Sequence, residues 1–123
     1  MSGGSIALDT NIILYLLGGD DTLAEFLQDK KGYVSVLTEL ELIGYQKITA
    51  KEQNQITNFL DACTVIDINE DIKKIYVRLR KKYKLKLGDA ITAATAIYLD
   101  VPFISADADF TKVTELQFTK YQP

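Results

Sequence analysis

The sequence predicts an α/β fold: a three-layer α/β/α sandwich around a central, mostly parallel sheet of four to five strands. Three observations predict it. Short apolar runs at Ser5–Leu8, Tyr33–Val36, Thr64–Asp67 and Val101–Ser105 alternate with longer stretches of helical periodicity. That alternation is the signature of parallel strands joined by helical crossovers and covered on both faces. Finally, 123 residues, 47% hydrophobic and 25% charged, are enough to bury one core without disulfides or a structural metal.

The elements follow in order. Ser5-Ile6-Ala7-Leu8 is a buried strand, and Asp9-Thr10-Asn11 is a polar switch able to cap the short helix Ile12–Leu17, which Gly18-Gly19 stops. Leu23–Leu27 is a second short helix, broken by Lys30-Lys31-Gly32. After strand two come helices over Leu37–Ile48 and Lys51–Ala62, then strand three. Ile72, Ile75, Tyr76, Leu79 and Tyr83 repeat at helical spacing within Asp71–Tyr83, with bases over the rest of the circumference. The alanine-rich stretch Asp89–Leu99 is apolar nearly all round and reads as a buried helix. Strand four follows, and Leu116-Gln117-Phe118 forms a short last strand. Residues 5–123 read as a single domain and residues 1–4 as a flexible leader, with no internal repeat or linker.

Composition narrows the chemistry. The chain has no histidine, which removes Ser-His-Asp triads, imidazole acid–base pairs and His-ligated zinc. Its single cysteine, Cys63, permits no internal disulfide and no four-cysteine metal site, and reads as a small buried hydrophobe. A reducing cytoplasm is the expected location. No apolar run approaches the roughly 18 residues of a membrane span, and no membrane partner is expected. Seventeen acids against 14 bases give a net charge of -3, but eight of the bases fall between Lys73 and Lys86.

Ligands of open parallel sheets bind beyond the carboxyl ends of the strands. Asp9 stands directly after strand one, and Asp107 and Asp109 just after strand four. In an extended segment the last two point the same way. Each has a structural alternative: a helix cap for Asp9, a polar turn for the pair. Asp89, after Gly88, reads first as a helix cap. Glu39 and Glu41 lie about 200° apart on a helix and cannot easily serve one site. Glu41 shares a stripe with Leu37, Tyr45 and Ile48, an apolar surround where a carboxylate needs a partner or a cation; Glu39 lies on the more solvated face. Acids gathered at one pole repel one another unless a cation neutralises them. An all-oxygen site without His or Cys selects Mg2+ or Mn2+. Such ions acidify water and clamp a phosphodiester during in-line displacement, chemistry that needs no imidazole.

These residues fall in four motifs. Ile6-Ala-Leu-Asp-Thr-Asn-Ile-Ile-Leu-Tyr-Leu-Leu17 resembles the opening of PIN domains, especially the VapC toxin branch. Val34-Ser-Val-Leu-Thr-Glu-Leu-Glu-Leu-Ile-Gly44 resembles their second motif and puts its glutamate at Glu41. Leu87-Gly-Asp-Ala-Ile-Thr-Ala-Ala-Thr-Ala96 resembles the third, with its acid at Asp89 and Gly88 where relatives often have proline. Ser105-Ala-Asp-Ala-Asp-Phe110 resembles the fourth. The resemblance implies a metal-dependent endoribonuclease in which water, activated by one or two Mg2+ or Mn2+ ions, attacks an RNA phosphodiester. It implies Asp9, Glu41, Asp89 and Asp107 as the catalytic and metal-binding acids, with Asp109 either a fifth or a support for the others from behind. Asn11 and Ser105 would orient them. It further implies a cognate antitoxin protein as partner and a homodimer.

The basic stretch reads either as a solvated helix face or as an RNA track toward the acids, with Lys81, Lys82, Lys84 and Lys86 nearest. Two rival functions fit the fold class. A receiver-like phosphoacceptor would need an acid pair at the end of strand one and an aspartate after strand three. Here Asp20-Asp21 lies past the first helix, and Asp67 is followed by an ordinary Ile68-Asn69. A PIN-like module that binds RNA or protein with little activity is the other; the full set of acids tilts against it.

Overall fold

Along β1 (Ser5–Leu8) successive side chains leave the strand on opposite faces. Ile6 and Leu8 pack with Ile12, Ile13, Leu23 and Leu42, whereas Ala7 packs with Ile72, Leu79, Ala90 and Phe103. The computed structural model, which describes residues 4–123, repeats this division in the neighbouring strands. β2 (Lys31–Ser35) sends Val34 to the first core and Tyr33 to the second, β3 (Thr64–Ile66) sends Val65 and Ile66, and β4 (Phe103–Ser105) sends Ile104 and Phe103. The sheet is therefore buried on both sides. Apart from Gly4, the expected leader at residues 1–4 lies outside the described residues.

The first core is closed by α1 (Thr10–Leu17), α2 (Asp21–Leu27), α3 (Val36–Ile43) and α4 (Ala50–Ala62). The second is closed by α5 (Glu70–Lys82), α6 (Leu87–Leu99) and a 3-10 helix, Ala108–Lys112. The strands run in the order β3-β2-β1-β4-β5, with β5 at Phe118–Lys120, and every pairing is parallel. The chain steps outward from β1 to β3 with its helices on one face. It then crosses back to β4 with α5 and α6 on the other. Reversing direction and face together keeps one hand for all crossovers, as twisted parallel sheets require. Strand order thus reverses between β1 and β4, and a crevice opens beyond their carboxyl ends.

Local chemistry fixes the element ends. Asn69 Oδ1 accepts from the Ile72 N–H at 2.8 Å to start α5, whose first turn carries Glu70 and Asp71 and whose last turn carries Arg80, Lys81 and Lys82. That arrangement suits the helix dipole at both ends. Ala90, Ala93 and Ala94 of α6 are completely buried, so small side chains let α5 and the sheet approach closely. No helix among the described residues is long and apolar enough to cross a membrane.

Several boundaries depart from the sequence expectation. The helix expected over Leu37–Ile48 ends at Ile43: the Gly44 N–H still bonds the Leu40 carbonyl at 3.0 Å, but the Tyr45 N–H tightens onto the Leu42 carbonyl at 3.4 Å and the helical pattern goes no further. Lys47 then takes a left-handed φ of 61°, and a Thr49–Glu52 capping box starts α4. The segment after strand four, expected extended, is the 3-10 helix.

A strap follows β5. The Tyr121 hydroxyl donates to Asp20 Oδ2 at 2.6 Å, and its ring packs against Tyr15 at 6.3 Å between centroids. This bond holds the Asp20 carboxyl below its usual range and pushes the Tyr121 phenol up to about 12. The Asp20 contribution to stability is present above its unfolded value and lost as pH falls through the lowered folded value. The Tyr121 contribution is present below the unfolded phenol value and lost as pH rises through about 12. We expect Tyr121→Phe to lower the urea midpoint between these two limits and to flatten its pH dependence, so that the two proteins converge at acid and at strongly alkaline pH. Parallel profiles for the two proteins would contradict the strap.

Candidate active site

The crevice at the strand-order reversal is a cavity of about 720 Å³. Asp9, Glu41, Asp89 and Asp107 all line it, with Asn11, Thr10, Thr92 and Lys86. Its apolar wall comes from Leu14, Leu37, Leu40 and Tyr45.

β1 and β4 set the first half of the site. Leu8 is paired with Ile104, so the next residues, Asp9 and Ser105, emerge side by side. The Asp9 N–H donates to the Ile104 carbonyl at 3.1 Å. Asp9 Oδ1 accepts from the Thr10 N–H at 2.9 Å, and Oδ2 accepts from the Ser105 hydroxyl at 2.6 Å and from Asn11 Nδ2 at 3.4 Å. Asp9 therefore caps α1 and faces the cavity at once. Ser105 is fully buried; its Oγ also accepts from the Asp107 N–H at 3.0 Å. Asn11 Oδ1 accepts from the Ala106 N–H at 3.2 Å. One serine and one asparagine thus tie the loops after β1 and β4 together.

The second half comes from α3 and α6. Glu41 Oε1 accepts from the Thr10 hydroxyl at 3.1 Å. Behind it Thr38, fully buried, takes its N–H bond to Ser35 Oγ at 3.2 Å, and Ser35 Oγ lies 3.5 Å from Thr92 Oγ1 on α6. Asp89 sits in the first turn of α6, one turn before Thr92, where the helix dipole favours an anion. Lys86, not Asp89, is the capping residue, and it makes no side-chain cap bond. Thr10 and Thr92 were not singled out from the sequence. The signals available were adjacency to Asp9 and the i+3 spacing from Asp89.

Glu41 is exposed and Glu39 half-buried, the reverse of the solvation read from the helix stripe. The stripe itself is cut by Gly44. Leu37 and Tyr45 still flank Glu41, but Ile48 does not reach the cavity. Asp109 is exposed in the 3-10 helix and does not line the cavity; its N–H donates to Asp107 Oδ1 at 2.9 Å. Of the four lysines expected nearest the acids, only Lys86 lines the cavity, and Lys82 pairs with Glu115 at 3.5 Å. Asp67 and Asp20 stand outside it, so the receiver-like arrangement does not form.

Electrostatics bind the acids into one unit. Burial pushes the Asp9 carboxyl above its usual range, against the hydrogen bonds from Ser105 and Thr10, and the Asp107 charge pushes it further. Asp89 is raised by burial first, then by Asp107 and Asp9, with Lys86 opposing. The donors are all hard oxygens, suited to a hard divalent cation. Among the described residues no three acids form a ready-made coordination set. Raised folded values mean that the metal-free protein loses stability as pH rises from the unfolded carboxylate value through the raised ones. We expect Asp107→Asn to lower the titration midpoints of both Asp9 and Asp89 in carboxyl NMR and to flatten that loss. Unchanged midpoints would show that the acids do not share a field.

Comparison with known proteins follows the same lines. Residues 6–116 match the PIN domain family model. No curated protein matches in sequence. A toxin–antitoxin complex from Klebsiella pneumoniae contains a chain 30% identical, with a TM-score of 0.81 over 96% of this chain and 99% of that one. VapBC-1 from nontypeable Haemophilus influenzae is 25% identical, with a TM-score of 0.74 over 94% and 97%. VapBC2 from Rickettsia felis, bound to a DNA fragment from its promoter, shares the fold with a TM-score of 0.84 over 96% and 99% at 20% identity. The chain belongs to the PIN domain family and is of the VapC type.

Proposed function

We propose that this protein is a metal-dependent endoribonuclease, the toxin of a toxin–antitoxin pair. The observation that carries the reading is the hydrogen-bonded group of Asp9, Ser105 and Asp107 at the β1/β4 crevice, with Asp89 and Glu41 in the same cavity. The raised carboxyls of Asp9 and Asp89, each pushed up by burial and by Asp107, support a cation-binding role, since a divalent ion would relieve both. Asp9, Glu41, Asp89 and Asp107 would hold one or two Mg2+ or Mn2+ ions, with Asp109 orienting Asp107 from outside. When bound, such ions supply charge neutralisation at the phosphodiester and acidify water.

The chain's own residues do the remaining work. Ser105 and Asn11 fix the Asp9 carboxylate, Thr10 fixes Glu41, and neither acid has to be ordered when substrate arrives. Lys86 at the cavity edge draws a phosphate toward an otherwise anionic pocket. Leu14, Leu37 and Leu40 form an apolar wall beside the acids. An antitoxin partner is supported by the relatives solved as toxin–antitoxin and VapBC complexes. A homodimer and a cytoplasmic site of action belong to the same reading.

The test is cleavage of a panel of structured RNAs with Mg2+ or Mn2+. EDTA and Asp9→Asn should each abolish cutting, Glu41→Gln should remove most of it, and Glu39→Gln should barely alter it. Ser105→Ala should cost about 10–100-fold, the usual effect of losing a ligand-orienting bond. Equal cleavage by wild type and Asp9→Asn would indicate a contaminating nuclease and overturn the proposal.

A further inference from the structure

α5 carries two separate sets of bases. Its buried arc, Ile72, Ile75, Tyr76 and Leu79, packs into the second core. On the opposite side Lys74, Arg78 and Lys81 follow one another at i, i+4 and i+7, within about 60° of one another around the axis at 100° per residue. All three are exposed. The two ion pairs among the described residues, Lys73–Glu70 and Lys82–Glu115, involve none of them. Arg80 faces elsewhere, donating to the Tyr76 hydroxyl at 3.0 Å. The stripe therefore presents three cations outside any ion pair among the described residues, on a chain of net charge -3.

Their spacing along the axis, about 6 Å and about 4.5 Å at 1.5 Å per residue, is shorter than the Debye length of about 8 Å at physiological salt. Their potentials add. The stripe also has a direction. Past Lys81 the chain continues through exposed Lys84 to Lys86 at the cavity edge, at most about 18 Å of chain from Lys81. Lys86 is close enough to Asp89 to oppose the rise in its pKa.

We infer that Lys74, Arg78 and Lys81 form an exosite for the sugar–phosphate backbone of a single RNA strand, continued by Lys84 and Lys86 into the acidic cavity. Because the apolar face of α5 is already used in the core, the outer face offers Coulombic contact and no insertion into a lipid surface. A ridge of point charges on a convex helix reads backbone without bases. Sequence choice then falls to the cavity, and the exosite rewards RNAs that extend away from the scissile bond on one side. This rests on the ribonuclease reading for its direction, but the binding itself does not depend on cleavage.

The experiment measures binding of a 20-nucleotide oligouridylate to the full chain in EDTA, across a series of salt concentrations. Wild type is compared with Lys74→Gln/Arg78→Gln/Lys81→Gln. Loss of three phosphate contacts should reduce the slope of log K against log salt by about 2, at about 0.7 per contact on a single strand. Affinity at low salt should fall at least about tenfold. The charge-preserving Lys74→Arg/Lys81→Arg variant should behave as wild type, which separates lost charge from altered folding. A control, Lys47→Gln/Lys51→Gln/Lys120→Gln, should keep the wild-type slope. Equal slopes for wild type and the stripe variant, or an equal loss in the control, would overturn the exosite. So would tighter binding of duplex DNA through the same three residues. If the stripe binds RNA while the metal-loaded protein cleaves none, the ribonuclease reading fails and the exosite stands.

Discussion

The hydrogen bond from Ser105 to Asp9 spans the place where the sheet reverses its order, and the site is assembled around it. β1 and β4 are neighbours because the chain crosses back over the sheet after β3. Their in-register pairing at Leu8 and Ile104 delivers Asp9 and Ser105 to the same edge. Nothing in the local sequence near residue 9 specifies residue 105; the topology does. Once the Ser105 hydroxyl donates to Asp9, its oxygen accepts from the Asp107 N–H and from Asn11 Nδ2, and Asn11 closes the loop through Ala106. Two acids nearly a hundred residues apart are held by one buried hydroxyl.

That arrangement is electrostatically unfavourable taken alone. Asp9 and Asp89 are both raised by burial and by neighbouring acids, and Lys86 is the one base that lowers Asp89. The fold tolerates this because the acids cap or begin helices and because buried polar groups behind them are satisfied: among the described residues no buried side-chain polar atom lacks a partner. Stability is given up at the crevice and recovered in the two apolar cores, as functional sites commonly require.

The sequence was informative where one physical rule dominated. Apolar runs located β1 to β4, and periodicity located α5 and α6, because burial alone decides those elements. It was less so where a tertiary contact or a backbone detail decided. α3 stops at Gly44, where the Tyr45 N–H tightens onto the Leu42 carbonyl, although the apolar spacing at Tyr45 and Ile48 continues the helical pattern. The segment Ala108–Lys112 curls because Phe110 must enter the core against Phe103, at 4.9 Å between ring centroids, which carries Asp109 away from Asp107's side of the cavity. The apolar stripe and the motif spacing both point to Glu41; it lines the cavity, yet exposed, with Thr10 as its partner. Thr10 and Thr92 stayed hidden because a hydroxyl's role depends on what stands opposite it, and those partners come from other elements.

In the proposed function the carboxylates of Asp9, Glu41, Asp89 and Asp107 act as one cation site. Carboxyl-labelled NMR with substoichiometric Mn2+ tests it most directly, since the paramagnetic ion broadens only nearby nuclei. The signals of Asp9, Glu41, Asp89 and Asp107 should broaden together, with added Mg2+ restoring them and Asp67 and Glu25 unaffected. Sharp signals from those four acids, or broadening spread evenly over exposed acids elsewhere, would contradict it.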